Sequence, residues 1–248
     1  MNYLIGDIGN TNIKFSILND KFKIIQIKNI ETKKIYNDKY KIFFLNQLCK
    51  KQISNKILFS SVVPKAFKLI KSFFLKKKYK IYEIKDLNIN KILKININKY
   101  DQLGSDRISN ALGALNYKNC IIIDFGTATT FDIVKNYMYE GGVISPGVKL
   151  SILNLNRSTA LLPAINLRSN QKIFGKNTKE ALNAGFIWGY EGLINNIIKK
   201  ICIKTKINFK IILTGGFSKL FKKHIYKKSI IDKNITIKGI AQAYKKLL

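Results

Sequence analysis

Asp7-Ile-Gly-Asn-Thr-Asn-Ile-Lys14 stands near the start of the chain, and Asp124-Phe-Gly-Thr-Ala-Thr-Thr130 repeats its pattern near the middle. Each segment follows a short apolar run and precedes a second run of β-forming residues, which predicts a strand, a tight glycine turn and a returning strand. Glycine lets such a turn approach a bulky anion, while Asn and Thr add N–H and O–H donors. We therefore interpret residues 7–14 (loop 1) and 124–130 (loop 2) as phosphate-binding loops whose aspartates can hold a cation directly or through water.

The repeated loop indicates an internal duplication, with two similar lobes whose loops would face one another and clamp a nucleotide. At 248 residues the chain has room for two such domains, and we predict lobes at residues 1–117 and 118–248. Predicted strands alternate with predicted helices, so each lobe is expected to be a mixed sheet covered by helices. This organisation predicts an α/β enzyme that transfers phosphoryl groups.

Local sequence patterns predict the elements of both lobes. For the first lobe they predict a strand pair at 13–18 and 22–27, strands at 56–63 and 81–84, a helix from Pro64 to Leu75, a strand or exposed ribbon at 88–98, and a helix from Asp106. For the second they predict a strand at 120–124 with a hairpin reaching Tyr139, a helix from Val148, a long helix capped by Asn177 or Thr178 and running to Ile201, a strand at 210–213, and a last helix at 240–248.

The charge of the chain is strongly positive, with 45 Lys and Arg against 14 Asp and Glu and a net charge of +31. Such an excess can indicate nucleic-acid binding. Only Arg107, Arg157 and Arg168 are arginines, however, although arginine is the better fork for phosphates and base edges. Lysine is instead scattered along the chain with much Ile and Asn, which indicates codon drift in an AT-rich genome. We therefore predict no specific nucleic-acid partner, only salt-sensitive adhesion to anions.

Cysteine usage and hydropathy indicate the compartment. Cys49, Cys120 and Cys202 are odd in number and far apart, which favours reduced thiols over disulfides or a metal cluster. No run approaches the roughly 20 apolar residues that a membrane span needs, and the N-terminus lacks the pattern of an export signal. A cytoplasmic protein that makes no membrane contact is expected.

A larger set of motifs points to one family. The set comprises Asp7-x-Gly-Asn-Thr-x-x-Lys14, Leu103-Gly-Ser-Asp-Arg107, Asp124-Phe-Gly-Thr-Ala-Thr-Thr-Phe-Asp132, Gly141-Gly-Val-Ile-Ser-Pro-Gly147, Gly175-Lys-Asn-Thr178 and Thr214-Gly-Gly216. In order and spacing these motifs resemble type III pantothenate kinase, and they span nearly the whole chain, from Leu4 to Gly216. The resemblance implies a ribonuclease H-like or actin-like ATPase fold with the nucleotide in the cleft. It also implies phosphorylation of the 4′-hydroxyl of pantothenate by ATP, the first step of coenzyme A synthesis.

The resemblance further implies roles for individual residues. Asp124 would ligate a monovalent cation, K⁺ or NH₄⁺, Mg²⁺ would accompany ATP, and the chain would form a homodimer. Asp106 would accept the proton of the substrate hydroxyl. The remaining implied contacts are to ATP from Asp7, Ile8, Gly9, Asn10, Thr11, Asn12, Ile13, Lys14 and Thr127, and to pantothenate from Tyr100, Gly104, Ser105, Asp106, Arg107 and Thr178.

The chemistry of Asp106 is consistent with that role. Phosphoryl transfer asks mainly for alignment and charge neutralisation, but a hydroxyl nucleophile still needs a proton acceptor, which a carboxylate within hydrogen-bond reach supplies. The positive end of the helix that follows Asp106, together with Arg107, would keep the carboxylate ionised. The alternative is that Asp106 only caps the helix, and Asp101 is a second acidic residue close by.

Several alternatives stay open at the level of sequence. Lys14 could line a strand, Arg107 could form a structural salt bridge, and Thr178 could act as a helix cap. The chain could also be a kinase for another acceptor, such as a sugar or acetate, or a non-catalytic regulator that binds nucleotide or nucleic acid. Assays with different acceptors would separate a pantothenate kinase from a sugar or acetate kinase. DNA binding that survives physiological salt would identify the regulator.

Overall fold

The computed structural model describes residues 1–169 and 174–248. The first half of the chain forms β1 (Asn2–Ile8), β2 (Asn12–Leu18), β3 (Ile24–Glu31), α1 (Asp38–Cys49), β4 (Ile53–Ser61), α2 (Pro64–Lys76), β5 (Lys80–Glu83), β6 (Lys94–Ile95) and α3 (Ser105–Gly113). The second half forms β7 (Cys120–Phe125), β8 (Ala128–Lys135), β9 (Met138–Pro146), α4 (Val148–Arg157), α5 (Thr178–Thr205), β10 (Lys210–Gly215), α6 (Ser218–Phe221), β11 (Ser229–Ile231) and α7 (Ile235–Leu247).

These elements belong to two compact units. The first unit contains residues 1–116, 137–139 and 234–248, and the second contains residues 117–136 and 140–233. The first unit therefore includes α7, whereas the sequence placed residues up to 248 in the second lobe. Glycines explain the difference, because a Cβ at Gly113 would collide with the Ile235 carbonyl and one at Gly239 with the Ser109 carbonyl. These two glycines allow α7 to pack directly on α3.

The two units share one strand order. In the first unit the order is β3-β2-β1-β4-β5. The β1–β2 and β2–β3 pairs are antiparallel, and the β1–β4 and β4–β5 pairs are parallel. In the second unit it is β9-β8-β7-β10-β11, with β7 and β8 antiparallel and β10 and β11 added in parallel. This repetition confirms the predicted α/β fold class with mixed sheets covered by helices.

Alternation along the strands sets one face of each sheet against helices. In the first unit, Leu4, Phe15 and Phe59 point into a core shared with α1 and α2. In the second unit, Ile121, Ile123 and Phe125 of β7 pack in a core with α4 and α5. Because the central strands are buried, the loops at their ends are held on a rigid base.

Two sequence predictions differ from the structure in local detail. Residues 88–98 were expected to form a strand or ribbon, but they contain a 3₁₀ turn at Ile89–Lys91 and only the two residues of β6. The Asn90 side chain accepts a hydrogen bond from the Ile95 N–H at 3.1 Å, and such local bonds compete with a strand ladder. The last helix begins at Ile235 rather than at 240. The short elements α6 and β11 were not predicted.

Candidate functional site

Loop 1 joins β1 to β2 through a tight turn. The Gly9 N–H donates to the Asn12 carbonyl at 3.0 Å and closes the turn. The buried Thr32 supports it from behind, since its hydroxyl donates to the Gly9 carbonyl at 2.6 Å and its N–H to the Thr11 carbonyl at 2.9 Å. Asn10, Thr11 and Asn12 are exposed. The turn therefore places three polar residues at the surface on a fixed backbone.

The predicted ATP contacts next to loop 1 fall into two groups, one with buried side chains and one with polar side chains. Ile8 and Ile13 face each other across the hairpin, and both side chains are fully buried in the core. These two residues can therefore meet a nucleotide only through their backbone atoms. Asp7 instead pairs with Lys14 in β2 and with Ser60 in β4, so an acid, a base and a hydroxyl are neighbours in the sheet.

Loop 2 has a shorter turn between β7 and β8. The Gly126 N–H donates to the Ala128 carbonyl at 3.1 Å, and Thr127 is exposed at the tip. Gly147, which precedes the first residue of α4, lies against this tip so closely that a Cβ there would collide with the Thr127 carbonyl. The start of α4 therefore supports loop 2 directly.

Asp124 lies in β7 between two threonines of the neighbouring strands, Thr130 in β8 and Thr214 in β10. Gly215, with φ of +81°, comes so close that a Cβ would lie 2.6 Å from the Asp124 Oδ1. Such a backbone conformation strongly favours glycine. The absence of a side chain at Gly215 thus lets the end of β10 approach a carboxylate that has hydroxyl-bearing neighbours.

This donor set fits the implied monovalent cation. Hard cations prefer carboxylate, hydroxyl and carbonyl oxygens, and the residues around Asp124 offer these groups. Within residues 1–169 and 174–248, no group of three or more His, Cys, Asp or Glu residues is placed to hold a metal ion. Around Asp124, the neighbouring residues Thr130 and Thr214 add neutral hydroxyl groups to one carboxylate.

The first turn of α3 carries the candidate proton acceptor. Gly104 is the N-cap residue, so Asp106 lies inside the first turn and is not the cap. Its Oδ1 accepts a hydrogen bond from the Arg107 N–H at 2.8 Å, and a Cβ at Gly104 would collide with the same oxygen. Gly104 is thus required for the position of the carboxylate.

The pKa of Asp106 is raised from its ordinary value because the carboxyl is partly buried, while the backbone N–H and the guanidinium of Arg107 oppose the rise. Desolvation, which disfavours the ionised carboxylate, therefore outweighs the stabilisation of that ionised form that was predicted from Arg107 and the helix N-terminus. A carboxylate with a raised pKa is a better proton acceptor than an ordinary exposed aspartate. The second acid of the segment, Asp101, is exposed, and its carbonyl accepts a bond from the Lys85 ammonium at 2.6 Å.

Two further predicted substrate residues flank this turn. The Arg107 guanidinium lies 6.0 Å from the ring centre of Tyr139, which is a cation–π distance. Tyr100 is half-buried in a 3₁₀ turn, and burial, followed by the charges of Glu83 and Asp86, raises its pKa. Its hydroxyl is buried and makes no hydrogen bond to any part of the chain that the structure describes. A buried hydroxyl of this kind has capacity for a ligand.

Thr178 is the first residue of α5, which is capped by its neighbour. The Asn177 side chain accepts from the Glu180 N–H at 3.0 Å, and the Glu180 carboxylate accepts from the Lys176 N–H at 3.0 Å. This capping box leaves Thr178 exposed without a capping role. Thr178 borders an apolar groove of about 570 Å³ along α4 and α5, with Leu155 among its lining residues.

The structure places the candidate residues in both units. The first unit holds loop 1 and residues 100–107, and the second holds loop 2 and Thr178. The convergence of the two loops on one nucleotide stays a prediction.

Sequence reasoning missed two residues of the first unit. Glu83 ends β5 and is 9% exposed, and its carboxylate accepts from the Ser61 N–H at 3.2 Å and the Lys85 N–H at 2.7 Å. Ser60 is fully buried beside Asp7. Their position could have identified both residues as candidates, because they lie near the carboxyl ends of parallel strands. Ligand sites in α/β sheets occur at these strand ends.

Comparison with solved structures defines the class of fold. A proposed Baf-family transcriptional activator from Campylobacter jejuni superposes with a TM-score of 0.64 over 98% of each chain at 21% identity. A proposed N-acetylmannosamine kinase from Listeria monocytogenes superposes with a TM-score of 0.57 over 99% of each chain at 13% identity. At these identities the likeness concerns the fold alone.

Sequence comparison identifies the family. The model of the type III pantothenate kinase family matches residues 3–200. A type III pantothenate kinase from Pelagibacter ubique (strain HTCC1062) is 50% identical over 243 residues, which is 97% of each chain. The chain therefore belongs to the type III pantothenate kinase family, and the resemblance predicted from its motifs is confirmed.

The helices were also compared with the requirements of a membrane span. Among the residues that the structure describes, no helix combines the length and apolar character needed to cross a bilayer.

Proposed function

We propose that this chain transfers the terminal phosphoryl group of ATP to the 4′-hydroxyl of pantothenate, the first step of coenzyme A synthesis. Family membership supports the reaction. The observation that carries the mechanism is the partly buried carboxylate of Asp106, which is held in the first turn of α3 by the Arg107 N–H and has room there because Gly104 lacks a side chain.

Loop 1 is proposed to bind the phosphates of ATP. Its backbone N–H groups and the side chains of Asn10, Thr11 and Asn12 supply neutral donors, and Lys14 supplies a positive charge. Magnesium enters as part of the Mg–ATP substrate, and Asp7 is the loop 1 carboxylate that can hold it directly or through water. Thr127 of loop 2 is proposed as a further nucleotide contact.

Asp124 is proposed to hold K⁺ or NH₄⁺, and the supporting observation is the close approach of the Gly215 backbone to its carboxylate. The Thr130 and Thr214 hydroxyls are the neighbouring oxygens that would complete the set. When bound, the cation supplies positive charge near the nucleotide phosphates. The role of the protein is to hold the Asp124 carboxylate and the Gly215 backbone close together.

At the substrate side, Asp106 is proposed to accept the proton of the 4′-hydroxyl while the hydroxyl oxygen forms its bond to the γ-phosphorus. The bond from that phosphorus to the ADP oxygen breaks, so ADP takes the electron pair of the leaving group. Arg107, Tyr100, Ser105, Gly104 and Thr178 are proposed to bind pantothenate. Because Asp106 is deprotonated in the active form, activity should fall as the pH drops through its raised pKa.

A homodimer is proposed as well. Gly185, Gly189 and Gly192 lie at spacings of four and three residues on α5, and a Cβ at any of them would meet nothing within 4 Å. Trp188 on α5 and Phe174, which precedes the helix, are exposed apolar side chains, and exposed apolar surface is common at interfaces. Sedimentation should give twice the chain mass of 28.4 kDa, whereas a species at that mass would contradict the dimer. We further propose a cytoplasmic location without specific nucleic-acid binding.

The direct experiment incubates the protein with ATP, Mg²⁺, K⁺ and pantothenate and detects 4′-phosphopantothenate by mass spectrometry. Product is expected with pantothenate and not with sugars or acetate, and phosphorylation of those acceptors alone would contradict the proposal. Asp106→Asn should bind ATP but lose about 100-fold to 10,000-fold in kcat, the range for a general base. Asp101→Asn is the matched control, since this exposed acid lies five residues away, and it should retain wild-type kcat.

The pH dependence gives a second readout on the same residue. The acid limb of kcat/KM should lie above the ordinary aspartate value of 3.8, because burial raises the pKa of Asp106. Arg107→Gln should move that limb to still higher pH, since the guanidinium opposes the rise. A limb that does not move in this variant would assign the titration to another group.

A further inference from the structure

The helices α3 and α7 of the first unit pack backbone to backbone at two glycines. A Cβ at Gly113 would collide with the Ile235 carbonyl, and a Cβ at Gly239 would collide with the Ser109 carbonyl. At these two points the contact is therefore made by bare backbone. Helices are normally held in register by side-chain ridges that fit into the grooves of the other helix, and glycine provides no such ridge.

A buried side-chain hydrogen bond joins the same two helices. The Thr236 hydroxyl, in the first turn of α7, donates to the Asn110 side-chain oxygen of α3 at 2.7 Å. Asn110 is 1% exposed and Thr236 is 8% exposed, so water hardly competes for this bond. Because a hydrogen bond weakens steeply when it is stretched or bent, the Thr236–Asn110 bond favours one position of α3 along α7.

The side of α3 that contacts α7 also carries the proposed proton acceptor. Asp106 precedes Ser109, Asn110 and Gly113 at helical spacings, which place all four residues on one side of this short helix. The Asp106 carboxylate is bonded to its own helix, since its Oδ1 accepts from the Arg107 N–H at 2.8 Å. A shift of α3 along α7 would therefore move the carboxylate with it.

We propose that Thr236 is a positioning residue, which fixes α3 on α7 through Asn110 and so places the Asp106 carboxylate for proton transfer. The inference rests on the proposed function, because it concerns the same proton acceptor. Thr236 is not proposed to touch the reacting atoms. A displacement of about 1 Å can lower a rate about 100-fold, whereas the turn of loop 1 is held by hydrogen bonds of its own. Loss of the Thr236 hydroxyl should therefore act on kcat and not on the binding of ATP.

The test compares two variants of α7 that each lose one buried hydroxyl. Thr236→Val removes the donor to Asn110 with almost no change of volume. Tyr244→Phe, the matched control, removes a hydroxyl near the other end of α7, which donates to the Lys56 carbonyl at 3.0 Å. Both variants should lower the melting temperature by about 2–4 °C. Thr236→Val should lower kcat about 10-fold, as for a displacement of a fraction of an ångström, whereas Tyr244→Phe should retain the wild-type kcat.

The kinetic measurement is designed to separate positioning from stability. The kcat is expressed per ATP-binding site, counted by titration with the nucleotide, so that unfolded protein does not lower it. The KM for ATP should stay within about twofold of the wild-type value in both variants. Thr236→Ser keeps the hydroxyl and should restore kcat. Equal losses of kcat in Thr236→Val and Tyr244→Phe would assign the effect to a general loosening of α7 and overturn the inference.

Other outcomes separate the possible failures. If Thr236→Val fails to fold, Asn110→Ala breaks the same bond from the α3 side and should show the same loss of kcat, and an unchanged kcat in that variant would overturn the inference. A wild-type protein that makes no phosphopantothenate refutes the proposed function and this inference with it. An active wild type together with a fully active Thr236→Val refutes this inference alone.

Discussion

Loop 1 and loop 2 follow one sequence pattern, but their hairpins differ by one residue. Three residues separate β1 from β2, and two separate β7 from β8. Asp7 consequently lies opposite Lys14, seven positions further on, whereas Asp124 lies opposite Thr130, six positions further on. The same aspartate thus acquires a different cross-strand neighbour in each unit.

The difference changes the chemistry of the two loops. In the shared pattern Phe131 occupies the place of Lys14, and its side chain is fully buried in the core of the second unit. A shift of one residue moves a side chain to the other face of a sheet. A lysine beside Asp7 suits a phosphate, while a neutral hydroxyl beside Asp124 suits a cation, which a lysine would repel. The length of the turn, and not residue type alone, therefore separates the two proposed roles, phosphate binding at loop 1 and cation binding at Asp124.

The strongest test of this comparison changes the two aspartates in turn. Asp124→Asn should remove the response to K⁺ or NH₄⁺ and lower kcat by about 100-fold, the scale of losing one electrostatic stabiliser at a reacting phosphate. Asp7→Asn should also lose activity, yet the remaining activity should still rise with K⁺. The measurement is initial rate against K⁺ concentration in both variants. A normal K⁺ response in Asp124→Asn would place the cation elsewhere.

A second test concerns the Gly215 backbone, which lies against the Asp124 carboxylate at the start of loop 2. Gly215→Ala puts a side chain at φ of +81° and against the Asp124 carboxylate, so it should lower the free energy of unfolding by about 2 kcal/mol or more. It should also raise the K⁺ concentration needed for half-maximal activity. Gly216→Ala is the matched control, because a Cβ there meets nothing within 4 Å. Equal denaturation midpoints for the two variants would contradict the close approach at Gly215.

The smallest expected effect concerns the lysine that only loop 1 possesses. Lys14→Gln should raise the KM for ATP about 10-fold, because one charge-assisted bond to phosphate is lost, and it should leave the K⁺ response unchanged. Lys21→Gln, an exposed lysine at the other end of the same hairpin, controls for the loss of one positive charge from the total of +31. If both variants change KM equally, general attraction of ATP to a basic surface is the better explanation.

Much of the fold could be predicted from local patterns. Pro64 at the start of α2 and Asn177 before α5 are start signals that the structure bears out, since they satisfy or remove the unpaired N–H groups of a first turn. The brief β6 and the placement of α7 could not be predicted in this way. They depend on an Asn90 side-chain bond and on a helix contact between distant residues, which no local window contains.

The candidate site divides in the same manner. The residue types of loops 1 and 2 and of residues 104–107 were available from their motifs. The desolvation that raises the pKa of Asp106 was not, because it depends on how the folded chain packs around the carboxyl group. Glu83 escaped notice for the same reason, because its partner Ser61 lies 22 residues before it in the sequence.

The sequence by itself determined the family, the duplicated sheet and the residues that can bind a phosphate or accept a proton, because these follow from side-chain chemistry and short-range periodicity. Only the tertiary structure decided that Asp7 faces a lysine and Asp124 a threonine, that Gly104 makes room for the Asp106 carboxylate, and that Glu83 accepts a hydrogen bond from the Ser61 N–H. Register, desolvation and long-range hydrogen bonds depend on which segments meet in space, and a single sequence does not specify those distances.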